Sequence, residues 1–170
     1  MNEEDNALLR QLRVVSKFQR IDETGAALSR VHQYVASKTP FAAISASKHY
    51  LSGNENDKRN AKLISNLNSH GLGGIQMVGF YQEEGDPAPA AERAFLVQQR
   101  KTISKEDFRT VLTNLMRQFE QGCCLYSDGE NVGYLYTNNA FVKKYSTVTF
   151  NVGKIKEVWS EIRKRKFAYL

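Results

Sequence analysis

The sequence is short of cysteine, proline, histidine and tryptophan: two, three, three and one in 170 residues. Each shortage removes a class of protein. Cys123 and Cys124 are neighbours, and adjacent side chains of a strand point to opposite faces. They therefore offer neither a disulfide pair nor a metal-ligand spacing, and the expectation is two small strand residues with at least one in the core. His32, His49 and His70 stand far apart, which leaves little for a zinc site or a serine–histidine–acid triad. No Gly-x-x-x-x-Gly-Lys-Ser/Thr, Gly-x-Gly-x-x-Gly or His-Glu-x-x-His is present. No apolar run approaches the roughly 20 residues of a membrane helix. The start, MNEEDNALLRQLR, is acidic and then amphipathic, unlike a secretory leader, so the expected location is the cytoplasm.

What is present is ordinary for a globular chain. Hydrophobic residues make up 41% and charged residues 25%, and 170 residues suffice for one domain with a real core. The net charge of +6 is concentrated at the end of the chain. Lys154, Lys156, Arg163, Lys164, Arg165 and Lys166 there face only Glu157 and Glu161. Such a run more often complements a helix dipole than binds nucleic acid.

The pattern predicts a helical extension over residues 1–40, a core with a hairpin over 41–138, and a strand plus a basic helix over 139–170. Leu8, Leu9, Leu12, Val15 and Phe18 keep helical spacing, as do Leu28, Val31 and Val35, and Thr39-Pro40 stops the second run. Phe41 to Ser47 reads as a strand. Asn54 reads as the N-cap of a helix to about His70, closed by the glycines of 71–74. A second strand covers Ile75 to Tyr81, and a third Ala94 to Arg100, after a loop holding Pro87 and Pro89. Ser104-Lys-Glu-Asp107 opens a helix to about Glu120 with Phe108, Val111, Leu112, Leu115 and Phe119 on one side. Cys123–Ser127 and Val132–Thr137 flank Asp128-Gly129, a hairpin signal. A further strand, about Ser146 to Asn151, precedes a last helix, Lys154 to Lys166, with Ile155, Val158, Trp159 and Ile162 inward.

The core thus spells βαββαβ. The fold class is α+β: a ferredoxin-like or PII-like antiparallel sheet with both helices on one face, extra C-terminal strands, and helical N- and C-terminal extensions. The other face needs a cover from the terminal helices or from a second subunit.

Chemistry-bearing residues gather where the first two strands end. Ser45 and Ser47 leave room for a ligand, Tyr81 offers a ring and a hydroxyl, and Glu83 offers a carboxylate. On spacing alone an ordinary polar loop is the commoner reading.

Three segments resemble the S-adenosylmethionine lyases of bacteriophages. Ile44-Ser45-Ala46 is similar to that family's first-strand end, and Gly79-Phe80-Tyr81-Gln82-Glu83 to its Gly-x-Tyr-x-Glu signature. Cys124-Leu125-Tyr126 with Gly133-Tyr134-Leu135-Tyr136 resembles its closing hairpin. The resemblance spans roughly residues 40–138. It implies a PII-like trimer with sites between subunits and an anti-restriction role in the host cytoplasm. The implied reaction is cleavage of S-adenosylmethionine to methylthioadenosine and homoserine lactone, with no cofactor and no metal. Glu83 would be catalytic, with Tyr81, Ser45 and Ser47 binding substrate. Two other classes stay open. One is a non-enzymatic module of the same fold, binding a ligand or gripping single-stranded nucleic acid between Tyr134, Tyr136 and the basic C-terminal helix. The other is a virion-associated structural protein.

Overall fold

A computed structural model of the chain describes residues 33–34, 36–81, 90–145, 148–149, 158–162 and 165–169. The expected N-terminal helices fall almost wholly outside the described residues; Gln33, Tyr34 and Ala36 are helical.

The described elements run β1 (Phe41–Ile44), α1 (Gly53–Ser69), β2 (Gly74–Tyr81), β3 (Ala90–Gln98), α2 (Lys105–Gln118), β4 (Cys123–Ser127), β5 (Val132–Tyr136), β6 (Phe141–Tyr145), β7 (Val148–Thr149), β8 (Val158–Ile162) and β9 (Arg165–Tyr169). All pairings described are antiparallel, in the order β6-β5-β4-β1-β3-β2-β8-β9-β7. Its centre, β4-β1-β3-β2, is the split βαβ arrangement of a ferredoxin-like or PII-like α+β fold.

Strand alternation sorts the core into two layers. Ala42, Ile44, Phe95, Val97, Cys124, Tyr126 and Leu135 face the helices and meet Leu63 and Leu67 of α1 and Phe108, Leu112, Leu115 and Met116 of α2. Phe41, Ile75, Met77, Ala94, Leu96, Leu125 and Val132 form a second buried cluster on the opposite face, with Tyr34, Tyr134 and Tyr145 packed on it. That face is therefore covered in part by this chain. Tyr34, just upstream of β1, lies 6.4 Å from the Phe41 ring.

Local chemistry explains the helix starts. The N-cap of α1 is Ser52, not Asn54. Ser52 Oγ accepts from the Glu55 N–H at 3.3 Å while the Glu55 carboxylate accepts from the Ser52 N–H at 3.0 Å. Only a residue three positions before a Glu completes this reciprocal box. The expected cap at Ser104 is present, its Oγ accepting from the Asp107 N–H at 3.0 Å. The Asp128-Gly129 hairpin is also present: Asp128 Oδ1 accepts from the Glu130 and Asn131 N–H groups, and Gly129 has φ +100°.

The C-terminal helix is corrected to the hairpin β8–β9. Residues 158–162 pair with β2, Val78 opposite Glu161 and Tyr81 opposite Val158. The outer N–H and C=O groups of β2 would otherwise lack a ladder partner. Val158, Trp159 and Ile162 keep helical spacing rather than strict alternation, but they are β-branched or aromatic, and such residues suit the unpaired edge of β2. β6, not anticipated, adds to β5 for the same reason, while β3 begins four residues earlier than its expected start.

One buried group stands out. Gln76 is 8% exposed, and its Nε2 finds no hydrogen-bond partner. An unpaired buried amide costs about 1–3 kcal/mol. Gln76→Met is therefore expected to raise the urea midpoint, by about 1 kcal/mol of stability. A fall of that size would mean the amide is bonded in solution.

Candidate functional site

The first two strands run parallel to one another but are not neighbours, because β3 lies between them. Their C-terminal ends share one end of the sheet, separated by the start of β3. The side chain brought there by β3 is Glu92, which sequence reasoning missed. It sits directly opposite Gly79 of β2 in the antiparallel register. By alternation from Ala94 and Leu96 it belongs to the face away from the helices. Gly79 places no side chain beside it, and a Cβ there would meet nothing closer than the Glu92 carbonyl at 3.8 Å.

Ser45 and Cys123 stand on the same face, beside Glu92, and Lys48 follows on the loop from β1. Burial pushes the Glu92 carboxyl above the usual carboxylate range; the Ser45 hydroxyl and the Lys48 positive charge offset this in part. Burial, then the Glu92 charge, pushes the Cys123 thiol up, and burial pushes Cys124 higher still. Neither is a ready nucleophile, since the thiolate is the reactive form. Cys124 is buried and Cys123 exposed, in line with the expectation of at least one core cysteine.

The four residues singled out by sequence are placed unequally. Ser45 is at the site, donating to the Arg93 carbonyl at 2.6 Å beside Glu92. Ser47 is turned to structural use, its Oγ accepting from Asn60 Nδ2 at 2.8 Å. Tyr81 ends β2, its backbone opposite Ala90 on one side and Val158 on the other. Glu83 lies outside the described residues. The signal for Glu92 was legible: a strand begun at Ala90 puts a lone acid in register with Ala94 and Leu96, an inward-facing charge on an apolar face. The two prolines drew the loop boundary too far along the chain.

The opposite face carries a different constellation. Arg93 Nη1 pairs with Asp57 Oδ1 at 2.8 Å, tying β3 to α1 beside Gln76, Ala61 and Ile64. Among the described residues no group of three or more His, Cys, Asp or Glu is gathered as for a metal ion. None of their helices is long and apolar enough to cross a membrane. The nucleic-acid clamp loses its helix to the strands β8 and β9. Tyr134 is engaged within the sheet, its hydroxyl 3.3 Å from that of Tyr145 with Lys144 Nζ 5.6 Å from each ring.

A ferredoxin-like or PII-like α+β sheet here sets one partly buried carboxylate beside a serine and a bare glycine, with a lysine nearby and no evident nucleophile among the described residues. The family model of the S-Adenosylmethionine lyase family matches residues 42–169, and the chain belongs to that family. No curated protein matches it. The match runs from within β1 to the end of β9, so the C-terminal hairpin belongs to the family unit although the motif resemblance stopped near residue 138.

Proposed function

We propose that the protein cleaves S-adenosylmethionine to methylthioadenosine and homoserine lactone, in the anti-restriction setting of a phage-infected host. The observation that carries the reading is the Glu92 carboxylate beside Ser45 and Lys48, opposite Gly79, in a chain of this family.

The chemistry asks little of a protein. The substrate's carboxylate oxygen bonds to its own γ-carbon, the Cγ–S bond breaks, and its electron pair stays on sulfur. The sulfonium becomes a neutral thioether, and no proton moves. Holding nucleophile and leaving group in line supplies up to about 7–11 kcal/mol of the barrier. The step also annihilates charge, since an anion and a sulfonium both vanish. A protein carboxylate placed on the sulfonium would stabilise the starting state more than the transition state and slow the step. Glu92 is accordingly assigned to the substrate's ammonium, whose charge is unchanged throughout. Tyr81 and Glu83 are assigned to substrate from the Gly-x-Tyr-x-Glu motif, Tyr81 as a ring for the cationic or adenine portion and Glu83 as a second acid. Ser45 is assigned to the approach by its hydroxyl, and Ser47 supports it, its N–H donating to Ser45 Oγ. A trimer with sites between subunits fits this reading.

Incubation with S-adenosylmethionine followed by chromatography is the test. Methylthioadenosine and homoserine lactone should appear together, and homoserine without lactone would point to hydrolysis instead. Glu83→Gln is expected to remove turnover with the circular-dichroism spectrum unchanged. Full activity in that variant would remove Glu83 from the site.

A further inference from the structure

Residues 45–48 leave β1 without regular structure, so their backbone groups need partners outside any ladder. The helices supply them. Asn60 is 1% exposed. Its Oδ1 accepts from the Ala46 N–H at 3.2 Å, and its Nδ2 donates to Ser47 Oγ at 2.8 Å and to the Asn56 carbonyl at 2.9 Å. Asn56 meets Lys48 as a neighbouring strand would: Oδ1 accepts from the Lys48 N–H at 2.8 Å, and Nδ2 donates to the Lys48 carbonyl at 2.9 Å. Within the loop the Ser47 N–H donates to Ser45 Oγ at 3.0 Å, and that hydroxyl donates to the Arg93 carbonyl at 2.6 Å. The Lys48 ammonium donates to the Glu120 carbonyl, just past the C-cap of α2. A chain of hydrogen bonds thus starts on the helix face and ends on the two groups that sit beside Glu92.

We infer that Asn56 and Asn60 are positioning residues for the reaction, fixing the β1–α1 loop so that Ser45 stays beside the Glu92 carboxylate and the Lys48 charge stays within its field. The inference rests on the functional reading above. Neither asparagine touches the carboxylate; both act through the loop. The groups that face Glu92 are few among the described residues: Ser45 and Lys48 from the β1 side and Cys123 from β4, with Gly79 opposite on β2. Arg93 is occupied on the other face by Asp57. Release of the loop leaves burial of the carboxylate unopposed, so its titration moves to higher pH.

The experiment compares the full-length protein with Asn56→Ala and Asn60→Ala. It follows the Glu92 carboxyl by carbon-13 NMR, assigned by its loss in Glu92→Gln, together with the pH dependence of kcat/KM. Asn60 is buried, so its variant tests the fold as well; Asn56 is half-buried, and its variant keeps the test decisive. The expected result is an upward move of both midpoints by about one pH unit, with kcat/KM on the acid side down about tenfold. A merely structural role lowers the melting temperature and leaves both midpoints in place, and that result overturns the inference. A shifted NMR titration in a protein that turns over no S-adenosylmethionine keeps the loop-positioning part and removes the lyase reading. Turnover with neither midpoint moved removes the inference alone.

Discussion

Glu92→Gln is expected to lower kcat/KM by about 10²-fold or more, about 2.7 kcal/mol in transition-state terms, while the protein stays folded. The amide keeps the shape of the side chain and loses the charge that would hold the substrate's ammonium. Stability should move the other way. The folded-state value of Glu92 lies above the ordinary one because burial penalises its charged form. The fold therefore binds the proton more tightly than the unfolded chain does. The resulting stability is fully present below the ordinary carboxylate value and is lost as pH rises through the folded value. Substrate binding has the opposite requirement, since only the anion attracts a cation, so activity should rise over the same window. Glu92→Gln removes both dependences at once. Denaturant melts and product assays across pH 4–8 measure them together. A variant of wild-type activity would show that this carboxylate is not the substrate's partner, whatever its effect on stability.

Gly133→Ala is expected to cost about 3 kcal/mol or more, near the upper end for an overpacked site. For a chain of this size the melting temperature would fall by roughly 6–12 °C. A Cβ at Gly133 would lie 2.0 Å from the Val142 carbonyl oxygen and 2.9 Å from both Lys143 Cα and Lys144 N. These are backbone atoms of β6, so no rotamer change relieves the clash. The register shifts between Val132 and Gly133, and this irregularity brings β6 so close. The substitution should loosen β6 from β5 and leave Glu92, three strands away across β4 and β1, in place. A thermal melt, and activity scaled to the folded fraction below the melt, would separate the two effects. Wild-type stability would mean that β6 does not pair with β5 this closely in solution.

Where local rules and long-range packing agree, the sequence was enough. The order βαββαβ followed from apolar period and punctuation: the glycines after α1, the cap at Ser104, the Asp128-Gly129 turn. Each is set by residues within a few positions of one another, and here no distant partner overrules it. Sequence also offered Ser45 and the Gly79-x-Tyr81 segment as candidates, because a family motif is a local string. Tertiary structure decided the remainder. Residues 158–162 follow a helical spacing, and the open edge of β2 makes them a strand against it. The partner of Gly79 is Glu92, and nothing short of the β2–β3 register places a carboxylate opposite that glycine. Ser47 looked like its near neighbour Ser45, yet Asn60 draws one hydroxyl into the scaffold while the other stays beside the acid. Local propensity is a matter of fractions of a kcal/mol per residue, so it fixes an element only when no unpaired edge or buried charge elsewhere in the fold weighs more.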